Sequence, residues 1–161
     1  MRYFFWFWFH VFRKANFIIR SRKIETKNAY RLLDVIEKDI GGQFNPKTKR
    51  KIAVSYGIYN PMICDAFTLL HGRVTNGAEK NRFVHYFICS SLFDDFTDYE
   101  LITEQQLQEL SFQPEQYEAK TFDEKVFKQS HLLLRDFVKD KAEYDRISYE
   151  LFNAQIKSRK Q

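Results

Sequence analysis

Apolar positions recur along this chain at intervals of three and four residues, the spacing of a helix that buries one face. In "TKNAYRLLDVIEKDIGG", Leu32, Leu33, Ile36 and Ile40 share such a face, and Gly41-Gly42 ends it. "NPKTKRKIAVSYGIY" opens the next helix, with Asn45 as its cap and Pro46 at the first helical position. Asn60-Pro61 repeats the signature before "MICDAFTLLHG". Two short helices or one broken rod both satisfy that pattern, because proline suits a helix start and disrupts an interior. "GRVTNG" is the clearest loop, and a long helix is predicted from about Ala78 to Phe96.

Thr103 with Gln106, and Thr121 with Glu124, have the spacing of capping boxes, and Ile102 is placed to staple onto Leu107. Val126, Phe127, Leu133, Leu134, Phe137 and Val138 form the predicted buried stripe of the following helix. A weaker cap at Asp140 with Glu143 precedes Ile147, Leu151 and Phe152. With no run of short alternating strands, the expected class is all-α: an antiparallel helical bundle with short connections.

The first residues depart from this pattern. Tyr3 to Phe12 is almost wholly aromatic, yet far shorter than the ~20 apolar residues that span a bilayer. No small-residue cleavage site follows, so a signal peptide is not expected. Arg13, Lys14, Arg20, Arg22 and Lys23 come next. Residues 1–24 therefore read as an aromatic and basic segment suited to a membrane interface, with peripheral contact through residues 3–23. A helix docking on its own domain, or a start codon assigned too early, are the alternatives.

Charge sharpens the contrast. The net charge is +5, but residues 1–51 hold 13 Lys/Arg against 4 Asp/Glu, a local +9, and the remainder is −4. Such a leader suits an anionic partner: lipid headgroups, a phosphorylated ligand or, less favoured, nucleic acid. At 161 residues and 44% hydrophobic, the chain suits one domain or part of a larger one, and wholesale disorder is excluded. Cys64 and Cys89 read as free core thiols, four scattered histidines show no zinc spacing, and the expected location is cytoplasmic, peripheral to the inner membrane face.

The candidate chemistry lies in "SLFDDFTDY". Val84, Phe87, Ile88 and Ser91 define the inward face of the long helix, and continuing that series reaches Asp94, Asp95 and Asp98. Buried unpaired carboxylates cost several kcal/mol, and crowded ones repel, so a hard divalent cation such as Mg²⁺ would relieve them. A fraying helix end with wet aspartates is the other reading. A calcium loop is excluded, since neither the turn glycine nor the terminal glutamate is in place.

"FDDFTD" on an apolar helix resembles the first aspartate-rich motif of class I isoprenoid (terpenoid) synthases. "AVSYGIYNPMICDAFTLLHG", "FVHYFICSSLFDDFTD" and "YELFNAQIKSRKQ" resemble the small bacterial group of class 1 isoprenoid biosynthesis enzymes. The likeness covers about residues 25 to 161. It implies an isoprenoid-synthase-like helical fold with Mg²⁺ held by Asp94, Asp95 and Asp98, and a prenyl diphosphate that ionises in an apolar cavity. Small side chains at Cys89 and Ser90 would leave room for a prenyl tail. Arg73 and Lys80 flank the loop before the long helix, placed either to reach a diphosphate or to be solvated on the surface.

Two departures qualify what the resemblance implies. "YELITEQQ" stands where chain-elongating relatives carry paired arginines. No second acidic motif is evident either, since Asp136 and Asp140 sit beside Arg135 and Lys139 off the apolar stripe. The expectation is an N-terminal portion whose C-terminal half lies elsewhere, and a non-catalytic basic module binding a membrane or nucleic acid is the alternative. His71, His85 and the Lys47–Lys51 cluster read as structural or solvated.

Overall fold

The computed structural model describes residues 2–159. Helix α1 spans Arg2–Ile40, α2 Pro46–Tyr59, α3 Asp65–Leu70, α4 Gly77–Asp98, α5 Glu104–Phe112, α6 Phe122–Asp136 and α7 Lys141–Arg159. Asn60–Cys64 forms a π-helical turn joining α2 to α3. The protein is all-helical, with six rods among the described residues when α2, the π turn and α3 are taken as one.

Local chemistry sets most boundaries. Gly41 ends α1 at φ +79°, a left-handed conformation glycine adopts without penalty, and Gly41 N and Gly42 N both donate to Glu37 O. Asn45 Oδ1 accepts from Lys47 N at 2.9 Å, with Pro46 at the start of α2. Asn76 and Glu79 form a capping box at α4. Thr103 and Gln106 form another at α5, Thr121 Oγ1 accepts from Glu124 N at α6, and Asp140 Oδ1 from Glu143 N at α7.

Pairs of contacts running in opposite senses along the chain show antiparallel packing. Lys49 meets Asp34 and Glu37 while Tyr56 meets Glu25, so α2 descends against α1. Thr48 meets Asp95 while Tyr59 stacks on Phe87, setting α4 against α2. His85 meets Ser130 while Cys89 meets Phe127 O, setting α6 against α4. Phe44 and Phe122 pack edge to face at 5.1 Å where the α1–α2 connection reaches α6. Leu33, Ile52, Tyr56, Ile88, Leu92, Leu110 and Val126 lie in the resulting core. The α1–α2 approach is close because position 57 has no side chain: a Cβ there would stand 2.0 Å from Thr26 Oγ1.

Of the predicted α6 stripe, Val126 and Phe127 are buried, Leu133, Leu134 and Val138 are half-buried, and Phe137 is not buried. Phe137 is exposed because α6 stops at Asp136, and its ring instead carries the Arg82 guanidinium at 4.3 Å. Ile147 and Leu151 also face solvent, leaving Phe152 as the α7 residue that enters the core. The Asn60-Pro61 signature resolves as one broken rod. Asn60 is not an N-cap: it is fully buried within the π turn, and neither Nδ2 nor Oδ1 has a partner. An unmet amide of this kind costs about 1–3 kcal/mol. Asn60→Leu is expected to stabilise the fold by about 1 kcal/mol in urea denaturation, and a loss of stability would mean that the amide serves a bound partner.

Candidate functional site

The three motif aspartates occupy different environments. Asp94 pairs with Lys51 Nζ at 2.9 Å. Asp95 accepts a hydrogen bond from the Thr48 hydroxyl. Asp98 is exposed, where the chain from Asp98 to Leu101 lies in solvent at the end of α4. The inward phase therefore holds for Asp95, weakens at Asp94 and fails at Asp98, because the body stops short of the last turn.

A fourth carboxyl joins the first two. Asp123, on α6, is pushed above the usual carboxylate range by burial, then by the negative charges of Asp95 and Glu124. Sequence reasoning looked for a second acidic motif at Asp136 and Asp140 and missed Asp123, since a cap-adjacent aspartate carries no signal of what faces it across the bundle. Oxygen donors suit a hard cation. As arranged, however, no group of three or more Asp, Glu, His or Cys side chains among the described residues is gathered to hold one.

The cations assigned to a diphosphate are held by protein carboxylates. Both guanidinium nitrogens of Arg73 bind Glu79, at 2.7 and 2.8 Å, and hold that carboxyl down to about 2. Lys80 Nζ donates to Glu25 Oε1 at 2.7 Å, and Tyr56 donates to Glu25 Oε2 at 2.8 Å. Burial, then the bond to Glu25, pushes the Tyr56 phenol up, so it donates throughout the physiological range. Lys80 thus anchors the inner part of α1 to α4.

Cys89 and Ser90 do border a hollow, of about 290 Å³, between α4, α6 and α7. It lies on the far side of α4 from Asp95, given ~100° of rotation per residue. Burial pushes the Cys89 thiol up and holds it protonated. Cys64 is likewise raised, to about 11.

Burial also pushes the His85 and His131 imidazoles below the ordinary 6.5. The unfolded chain then takes up protons that the folded one resists. Stability should be full above pH 6.5 and fall as pH drops through the depressed native values. His85→Gln and His131→Gln should each flatten the stability profile below pH 6.5, measured by denaturation at several pH values. An unchanged slope in both variants would exclude these imidazoles as its source.

The largest uncovered feature is the start of α1. Its residues 3–17 are all exposed, Phe5 at 71% and Trp6 at 66%. The rings touch one another along the helix rather than the body, as in the Phe4–Trp8 and Trp8–Phe12 pairs. The first side chain of α1 to enter the core is Glu25. The expected boundary near residue 24 therefore falls inside a single continuous helix, at the point where α1 meets the bundle. No helix among the described residues is long and apolar enough to cross a membrane.

No protein-family model matches this chain, and no curated protein or solved structure is significantly similar to it. Fold and site together define an all-helical protein whose α1 projects an aromatic and basic arm.

Proposed function

We propose that the protein is a helical module that attaches peripherally to an anionic membrane surface through the first half of α1. One observation carries this reading: a run of aromatic side chains left in water by a body that buries its other core-forming helices in the ordinary way. Contiguous exposed apolar surface on this scale marks an interaction site.

The arm has the dimensions of an insertion into one leaflet. Tyr3 to Phe12 is apolar on every side of the helix apart from His10, as expected of a segment surrounded by a nonpolar medium. Ten residues rise about 15 Å, half of a ~30 Å hydrocarbon core. Arg13 and Lys14 follow at once, at headgroup depth, with Arg20, Arg22 and Lys23 able to meet anionic lipid further out. Each such cation contributes about 1 kcal/mol near an anionic surface.

The chain's two tryptophans, Trp6 and Trp8, both lie in the arm and report on it directly. Their emission should shift to the blue on mixing with phosphatidylserine-containing vesicles, weakly with neutral vesicles, and the shift should shrink as salt rises. No shift and no flotation with either vesicle would overturn the reading. So would retention on DNA in the absence of vesicle binding, or emission that depends only on protein concentration, the sign of self-association.

A second reading keeps the diphosphate chemistry of the motif that "FDDFTD" resembles. It is favoured by Asp123, which brings a carboxyl from a facing helix beside Asp95. It requires Asp94 to exchange Lys51 for a cation. Saturable Mg²⁺-dependent binding of farnesyl diphosphate, lost in Asp95→Asn, is the result it demands. Binding that ignores Mg²⁺ or survives that substitution removes it.

A further inference from the structure

The chain between α2 and α4 is built inside out. Apart from Pro61, its buried side chains are all polar: Asn60, Asp65, Thr68 and Thr75. Thr75 Oγ1 donates to Asp65 Oδ1 at 2.8 Å, and Thr68 Oγ1 donates to Cys64 O at 2.9 Å. Met62, Ile63, Phe67, Leu70 and Val74 face outward instead, Leu70 at 81% and Val74 at 74% exposure. Between Pro61 and Asn76 the charged residues are Asp65, which is buried, and Arg73, which Glu79 pairs. Polar groups within and apolar groups without is the reverse of a water-facing surface, and it suits a nonpolar surrounding.

This apolar cap lies at the end of the bundle from which the arm leaves. Tyr56, near the end of α2, and Lys80, near the start of α4, both meet Glu25, and Gly57 lies against Thr26 and the Arg22 carbonyl. The π turn also packs on α1, so the residues between Gly57 and Lys80 cover that end. We propose that the cap is a second membrane contact: as the arm inserts, Phe67, Leu70 and Val74 seat in the interface of the same leaflet and hold the bundle with its α3 end toward the lipid. This contact rests on the arm's own attachment. With Lys14 at headgroup depth, Arg22 stands about 12 Å behind it, a gap into which the rod of α2, the π turn and α3 runs. Charge selects lipid over a second copy of the chain. Arg20, Arg22 and Lys23 are exposed at the base of the arm, where they match an anionic surface and would repel the same three cations of a partner.

A single tryptophan placed on the cap tests this contact. Trp6→Phe/Trp8→Phe keeps the arm aromatic, and adding Leu70→Trp makes the cap the only source of emission. Mixed with phosphatidylserine–phosphatidylcholine vesicles, this reporter should shift to the blue. Lipid brominated near the headgroup end of its chains should quench it more than lipid brominated near the methyl end, as shallow seating requires. Leu101→Trp in the same background is the control, at an exposed apolar position past the far end of α4, and its emission should not change. Phe67→Gln/Leu70→Gln/Val74→Gln in the otherwise unaltered chain should weaken flotation affinity about tenfold to thirtyfold, with circular dichroism unchanged because these side chains are already exposed. An unshifted reporter at position 70, or wild-type affinity in the folded triple variant, while Trp6 and Trp8 still report attachment, would overturn the second contact and leave the arm's attachment standing. Loss of the Trp6 and Trp8 response in the wild-type chain would overturn both. Self-association without lipid that the triple variant abolishes would give the cap to a second copy and overturn the proposal.

Discussion

Replacing Phe5, Trp8, Phe9 and Phe12 together by glutamine is expected to abolish vesicle attachment without lowering the melting temperature. The rings are already exposed in the free protein, Phe5 at 71% and Trp8 at 43%, so the fold has little to lose by their removal. Transfer of a fully exposed phenylalanine out of water contributes about 1.5–3 kcal/mol. These rings are partly covered already, which reduces each to about 1 kcal/mol. Four rings then sum to about 4 kcal/mol, nearly a thousandfold in affinity.

Trp6 remains in that variant as the reporter, and flotation at fixed lipid gives an independent measure. Neutralising Arg13 and Lys14 with glutamine should act differently. Binding should weaken by about tenfold to thirtyfold, since each cation contributes ~1 kcal/mol, and much of its salt dependence should go with it. A large fall in melting temperature on replacing the rings, with attachment retained, would show that the arm docks on its own bundle.

The second large effect concerns the anchor of α1. Lys80→Met is expected to destabilise the protein by about 3 kcal/mol, because Glu25 is then a buried carboxylate bonded only by the Tyr56 hydroxyl. For a chain of this size that is a fall of roughly 6–12 °C in melting temperature. The double variant Glu25→Gln/Lys80→Met should recover most of the loss, since no charge is left uncompensated. Arg73→Ala is the matched control. Its guanidinium bonds Glu79 on the open surface, where an ion pair contributes little, and no comparable fall should follow. Wild-type stability in Lys80→Met would show that Lys80 is not a structural cation, and would return it to the candidates for binding a phosphate.

The two variants also separate the parts of α1. The aromatic substitutions act on surface attachment and spare stability, while the Lys80 substitution does the reverse. A single helix carries both roles because it changes surroundings along its length. Through residue 17 it is bathed by solvent, and from Arg22 onward it sits against α2.

Helix ends and the apolar stripes through Leu33, Val84, Ile88 and Val126 were legible in the residues alone. A cap is a bond between groups three or four residues apart, as Thr103 with Gln106 shows, and periodicity records which face must leave water. What the aspartates, Arg73 and Lys80 do was decided by packing. Asp94 meets Lys51 and Asp95 meets Thr48 across 43 and 47 residues of chain, and Lys80 reaches Glu25 across 55. No local pattern encodes such pairings, because they depend on how far each helix slides along its neighbour. The same holds for the unburied arm. Its sequence makes it apolar on nearly every side, and only the tertiary structure, which leaves residues 3–17 exposed, leaves that surface to be covered by something else.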